Sequence, residues 1–213
     1  MWSRRKRKLR PSKSRSLKAE SWLVAGLGNP GAEYAGTRHN AGAMVVERLA
    51  DTLGGRLKKV RFVPVLAAEV KHEGVPLFLV TPGTFMNVSG PPIVSAAKKR
   101  GIPVERVVAC HDDIDLAFGA LRMKKGGSTA GHHGLESMVS AFRSADFYRV
   151  RLGVGRPAGR WENVDFLLNP FTKREREEFA VVIAEAADAV LSLVSRGLTL
   201  TQSRYNQGGI RGS

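Results

Sequence analysis

Two short runs, Trp22–Gly26 (WLVAG) and Val107 to His111 (VVACH), are apolar at nearly every position, and they constrain the fold more than any other feature. A strand with one face in water alternates apolar and polar residues, whereas a short apolar run without alternation reads as a fully buried strand. The segments between supply the covering helices. Residues 43–53 place Met44, Val45, Leu49 and Leu53 near one face, with Gly54-Gly55 as a stop, and residues 88–100 and 135–142 also read as helical. Residues 173–196 form the longest helical pattern, with Phe179, Val182, Ile183, Ala186, Ala187, Val190, Leu191 and Val194 as its inward stripe. Residues 63–70 and 75–81 predict a hairpin around His72-Glu73-Gly74, and 119–124 and 147–154 predict two more strands. Strands alternating with helices predict an α/β protein: a single domain with a mixed, mostly parallel β-sheet flanked by helices.

The length of 213 residues fits one domain with tails. The expected organisation is a disordered basic arm over residues 1–20, a domain over 21–207 and a flexible tail over 208–213. The net charge is +15, from 34 Lys and Arg against 19 Asp and Glu, and it is unevenly spread. The arm sets nine cations against Glu20 alone and so holds +8, which leaves +7 on the domain. A balance this basic favours an anionic partner, nucleic acid first, although it says nothing about fold.

The lone Cys110 excludes an intramolecular disulfide, and no cysteine pair or HExxH pattern offers a zinc site. These features predict a cytoplasmic protein. No apolar run approaches 18 residues and the basic leader has no apolar segment, which predicts neither a membrane span nor a secretory signal. The Arg- and Ser-rich arm leaves organellar targeting as the alternative.

Gly26-Leu27-Gly28-Asn29-Pro30-Gly31 fits the G-x-G-x-x-G dinucleotide fingerprint, but the fit is superficial. Pro30 and the polar stretch through Asn40 delay the helix that should receive a pyrophosphate, and no acidic residue follows at the end of a second strand. No nucleotide cofactor is expected.

The stretch after the glycines is more specific. Asn29-Pro30-Gly31, Tyr34 and Thr37-Arg38-His39-Asn40-Ala41-Gly42 resemble the first signature of the bacterial-type peptidyl-tRNA hydrolases, which cleave the ester joining a peptide to the 3′ end of tRNA. Three further segments resemble that family in the same order: Thr84-Phe85-Met86-Asn87-x-Ser89-Gly90, His111-Asp112-Asp113-x-Asp115, and Gly126-Gly127-Ser128-Thr129-Ala130-Gly131-His132-His133-Gly134-Leu135. The likeness runs from about Trp22 to Asn206.

Ester hydrolysis near neutral pH needs a base for water, a group that holds the base in the right tautomer, and donors for the carbonyl oxygen. His39 is the natural base, since imidazole titrates near neutrality. The resemblance implies that Asp112 pairs with His39 and orients it. It also implies that Asn29 and Asn87 place the peptide ester, that Tyr34 and Met86 line the pocket, and that Arg122, Lys124 and Arg151 face tRNA phosphates. Arg143, Arg149 and Arg156 could widen that basic patch, although solvated surface charge is their plainer reading. No metal or cofactor is implied, and the expected partner of a monomeric enzyme is peptidyl-tRNA. The basic arm adds possible nonspecific contact with RNA or the ribosome.

The chain departs from the second signature at two positions: His133 stands where the family has Asn, and Glu136 where it has a basic residue. His133 changes the hydrogen bonding offered to substrate, and Glu136 is expected to repel phosphate. Two other readings follow. A metal centre could be drawn from His111, Asp112, Asp113, His132 and His133, since imidazole and carboxylate ligate zinc or manganese. A non-catalytic RNA-binding protein on the same scaffold, like the plant splicing relatives of the family, is the alternative to an enzyme.

Overall fold

In the computed structural model, which describes residues 21–157 and 162–206, the run Trp22–Gly26 forms β1, the middle strand of a seven-stranded sheet. The expected arm and tail lie outside the described residues. After β1 come α1 (Ala41–Thr52), β2 (Lys58–Val60), β3 (Val63–His72), β4 (Val75–Pro82), α2 (Gly90–Arg100), β5 (Val107–Asp113) and β6 (Leu121–Lys125). The chain continues through α3 (His133–Phe142), β7 (Tyr148–Gly153), α4 (Asn163–Leu168), α5 (Lys173–Arg196) and α6 (Leu198–Tyr205). Single 3₁₀ turns occupy Arg38–Asn40, Met86–Val88 and Val104–Arg106.

The strand order is β2-β3-β4-β1-β5-β7-β6. The four successive strands β4, β1, β5 and β7 run parallel, while β2–β3, β3–β4 and β6–β7 are antiparallel pairs. The two apolar runs are thus neighbours in the parallel part, with Leu23 opposite Val107 and Gly26 opposite Cys110. Alternate residues of β1 enter opposite cores. Val24 packs with α1 and α5, whereas Leu23 and Ala25 pack with residues of α2 and α3. Covering both faces is what unalternated strands require.

Local chemistry sets the helix ends. Pro91 and Pro92 occupy the first turn of α2, where a missing N–H costs nothing, and Gly101 ends it in the left-handed conformation. Thr172 and Glu175 form a capping box at the start of α5. The stripe predicted for α5 is buried throughout, joined by Ala189 and Leu193. The periodicity of residues 43–53 missed the true start of α1 at Ala41, because Gly42 carries no apolar signal. A Cβ on Gly42 would lie 2.1 Å from the Cys110 carbonyl oxygen, so this helix approaches β5 only through a glycine. β2, α4 and α6 were not expected; they are short and bury almost nothing.

The strand order reverses at β1, with β4 on one side and β5 on the other. The carboxyl ends of these parallel strands are where open α/β sheets place ligands. The Asn29 loop, the Met86–Val88 turn and the end of β5 meet there.

Candidate active site

His39 sits in the 3₁₀ turn that leads into α1, and Asp112 is the penultimate residue of β5. Although 73 positions apart, they meet in a buried hydrogen bond, His39 Nδ1 to Asp112 Oδ1 at 3.0 Å. The same Oδ1 lies 3.1 Å from His132 Nε2. His132 caps α3, and its Nδ1 accepts from the backbone N–H groups of Gly134 and Leu135 at 3.1 and 3.3 Å. Those donors fix the lone pair on Nδ1, so His132 carries its proton on Nε2 and donates it to Asp112. The carboxylate accepts from both rings, so His39 donates from Nδ1 and keeps the lone pair of Nε2.

The electrostatics agree with this assignment. Burial opposes a charge on His39, but the Asp112 carboxylate outweighs it through its own charge and hydrogen bond and lifts the imidazole above its ordinary value. Burial would raise Asp112, yet the two histidines hold its carboxyl below the usual range. His111 is buried and held well below its ordinary value by burial and by His132, and its Nδ1 donates to the Asp112 carbonyl at 2.7 Å.

Asn29 is oriented from behind. Its backbone N–H donates to Asn40 Oδ1 at 2.8 Å, and Asn40 Nδ2 donates to its carbonyl at 2.9 Å. Its side-chain Oδ1 accepts from the Met86 N–H at 2.8 Å, which leaves the Nδ2 hydrogens as donors. Met86 is buried beneath the cleft, and Asn87 stands exposed on the same turn. Gly134 lets α3 close on that turn, since a Cβ there would lie 2.5 Å from Met86 Sδ.

These groups line a cleft of about 700 Å³ that also takes in His133 and Thr129 to Gly131. Tyr34 and Phe85 meet edge to face on one wall, with ring centroids 6.3 Å apart. Val164, Leu167 and Leu168 of α4 also line it. Phe85 is 57% exposed and Val164 58%, an unusual cost for large apolar side chains outside a binding surface.

The predicted cations share one face of the β6–β7 ribbon. Arg122 lies opposite Arg151 and Lys124 opposite Arg149, while Leu121, Met123, Val150 and Leu152 point into the core. Arg151 Nε donates to Asp113 Oδ2 at 2.8 Å, and Lys124 Nζ reaches the Ser128 carbonyl at 3.4 Å. Burial, then Arg151 and Arg149, hold the Lys124 ammonium below its ordinary range. The sequence reading of Arg149 as surface charge is wrong. Its side chain is fully buried and donates to the carbonyls of Ser128 and Gly127 at 2.5 and 2.8 Å, tying down the glycine loop ahead of His132. Arg156 is exposed and pairs with Asp115.

The residues considered for a metal do not converge. His133 points outward, its side chain 66% exposed, and pairs with Glu136 at 3.3 Å; Asp113 is taken by Arg151. The two departures from the family signature therefore satisfy each other, and Glu136 sits favourably in the first turn of α3. His39, Asp112 and His132 do cluster, with ligand atoms within 4.8 Å of one another. To bind a metal through Nε2, however, His132 would have to move its proton to Nδ1, against two backbone N–H donors. The cluster fits a general base oriented by its carboxylate better than a metal centre.

The model of the peptidyl-tRNA hydrolase family matches residues 23–212. The chain belongs to the peptidyl-tRNA hydrolase family. It is 47% identical to the peptidyl-tRNA hydrolase of Frankia casuarinae over 185 residues, which cover 87% of this chain and 93% of that one. The enzyme of Streptomyces coelicolor is 44% identical over 190 residues, covering 87% and 94%. The crystal structure of the Acinetobacter baumannii peptidyl-tRNA hydrolase superposes with a TM-score of 0.83 at 34% identity, over 91% of this chain and 98% of that one. Family membership and the single α/β domain, a mixed sheet flanked by helices, thus agree with the sequence reading.

Sequence reasoning saw His132 only as a metal candidate and missed Asn40 as the brace of Asn29. A histidine just ahead of an apolar helical pattern was the available signal, since a cap needs a side-chain acceptor. The brace could be recognised only once the chain had folded back through 11 residues.

Proposed function

We propose that this chain hydrolyses the ester between a peptide and the 3′-terminal ribose of tRNA, with His39 as general base. The observation that carries this reading is the hydrogen-bonded His39–Asp112–His132 cluster, which leaves a lone pair on Nε2 of a cleft-lining imidazole. His39 Nε2 takes a proton from water as the oxygen attacks the ester carbonyl. The tetrahedral intermediate then expels the ribose oxygen, which recovers that proton from the imidazolium. A peptide carboxylic acid and a free ribose hydroxyl result.

Asp112 holds the ring and stabilises its transient charge, as the carboxylate does in a Ser-His-Asp site, with water in place of serine. Asn29 Nδ2 donates to the ester carbonyl or the adjoining peptide, Asn87 holds the substrate from the rim, and Tyr34 and Met86 shape the pocket. Arg122, Lys124 and Arg151 meet tRNA phosphates, where the charge on one sheet face supports the reading. His133, at the mouth, contacts substrate with an imidazole in place of an amide. The physiological role would be recovery of tRNA from peptidyl-tRNA released by ribosomes.

Release of the acylated residue from N-acetyl-aminoacyl-tRNA tests the proposal. The native protein should turn the substrate over, and His39→Ala should lose about 10² to 10⁴ in kcat with tRNA binding retained. A native protein that binds tRNA without turnover would instead identify an RNA-binding protein.

A further inference from the structure

Arg38 precedes His39 in the catalytic 3₁₀ turn, yet its side chain turns away from the reaction and into the protein. Nη2 donates to both carboxylate oxygens of Glu175 at 2.8 Å. Nη1 faces three backbone carbonyls, those of Phe166 at 3.4 Å, Asn169 at 3.1 Å and Pro170 at 3.2 Å. The guanidinium also lies over the Phe166 ring at 4.2 Å and near Phe171 at 5.2 Å. Backbone bonds reinforce this seam, with Arg38 N–H donating to Asn169 and Phe171 N–H donating to Gly36.

Phe166 belongs to α4, and Asn169 is its C-terminal cap. The last carbonyls of a helix have no intrahelical partner and carry its negative end, so a buried cation among them stabilises that end. α4 has only six residues and buries none of them fully, so it depends on such attachments for its position. It brings Val164 and Leu168 into the cleft, together with Phe85. One planar, five-donor group therefore links the catalytic turn, the start of α5 and the helix that forms a wall of the cleft. A lysine could keep the ion pair with Glu175 but not the fork or the stacking.

We infer that Arg38 is the positioning residue that sets the distance between the α4 wall and His39, and thereby how closely the cleft fits an apolar peptide side chain next to the ester. The inference rests on the reading that this cleft receives the peptide. It follows that Arg38 governs discrimination among peptides through KM more than the chemical step.

The test compares N-acetylphenylalanyl-tRNA with N-acetylglycyl-tRNA, using the full chain and its Arg38→Lys and Glu175→Gln variants. The native enzyme should prefer the phenylalanyl substrate. Arg38→Lys should reduce that preference in kcat/KM by about 10-fold, chiefly through KM, the size of effect expected when a hydrophobic side chain loses its fit. Glu175→Gln, which keeps hydrogen-bonding capacity but removes the charge, should reduce it less and in the same direction. Amide hydrogen exchange in residues 163–168 should quicken in both. Equal losses on both substrates with α4 exchange unchanged would overturn the inference and leave Arg38 as a support for His39 alone. A native enzyme without preference would overturn the pocket reading first, which distinguishes the two failures. If Arg38→Lys does not fold, Phe166→Leu removes only the ring beneath the guanidinium, and an unchanged preference in that variant would equally refute the proposal.

Discussion

Replacing Asp112 by Asn separates the orienting role of the carboxylate from its charge. The amide is nearly isosteric, and with its oxygen at the Oδ1 position it can still accept from His39 Nδ1 and His132 Nε2, now at 3.0 and 3.1 Å. What disappears is the negative charge that lifts His39 against its burial. With that charge gone, burial alone acts on the ring, and the His39 pKa moves down. A base whose pKa falls is already neutral at pH 7, so its population in the active form does not suffer. Activity still collapses, because the imidazolium formed during attack has lost its counter-charge. A charge-assisted hydrogen bond contributes about 1.5–3 kcal/mol, and the full general-base contribution is about 10² to 10⁴. The expected outcome is a kcat lower by a factor in that range. The acid limb of kcat/KM, which the Asp112 carboxylate raises in the native enzyme, should shift to lower pH. Raising the pH should give no rescue. The measurement is kcat and kcat/KM on N-acetyl-aminoacyl-tRNA between about pH 5 and 9, with tRNA binding as a control. An acid limb that stays in place or moves up would refute the electrostatic account, and an unchanged plateau would refute the role of Asp112 as counter-charge to the imidazolium.

Arg151→Ala should weaken tRNA binding and lower the slope of log K against log salt by about 0.9, one phosphate contact, as read by filter binding at several ionic strengths. An unchanged slope removes Arg151 from the clamp. Removal of residues 1–20, which carry +8, should reduce RNA affinity at low salt and leave kcat on bound substrate untouched; a lost kcat would tie the arm to the active site. Gly42→Ala places a methyl 2.1 Å from the Cys110 carbonyl oxygen and should cost about 1–3 kcal/mol by overpacking, visible as a Tm lower by several degrees. Chelators should leave turnover intact, because His132 Nδ1 is occupied by backbone donors; activity lost to chelator and restored by zinc would reinstate a metal centre.

Much of the fold was legible from short-range pattern. The apolar runs of β1 and β5 and the stripe of α5 state their burial directly, since each is a periodicity read within one element. The elements that escaped notice, β2, α4 and α6, are short and bury little, so none is long enough to show an apolar periodicity. α4 lines the cleft all the same, held by Arg38 as well as by the packing of Phe166 and Leu167.

The site was legible in part for a related reason. His39 is suggested as a base by its type, and Asp112 as its carboxylate by the family likeness of the motif in which it stands. The alternation in Tyr148–Gly153 places Arg149 and Arg151 on one face of β7, so the pattern exposes both, Arg149 as plain surface charge and Arg151 toward the tRNA phosphates that the family likeness implies. Sequence could not show that the Gly126 to Gly131 loop folds over one of them and leaves the other partly open. His132 and His133 are also indistinguishable by type. The start of α3 separates them, turning the first toward Asp112 and the second toward Glu136.

The amino-acid sequence by itself determined the α/β class, the family likeness, the acid–base chemistry on offer and the basic net charge. Those properties reside in residue types, local periodicity and total charge, which survive without knowledge of any long-range contact. Only the tertiary structure decided which imidazole nitrogen is free, which cations are buried and what holds the wall of the cleft. Each of those depends on hydrogen bonds between residues far apart in the chain, such as the 73 positions between His39 and Asp112 or the 137 between Arg38 and Glu175. Geometry at that range exists only after the sheet has assembled and brought its strand ends together.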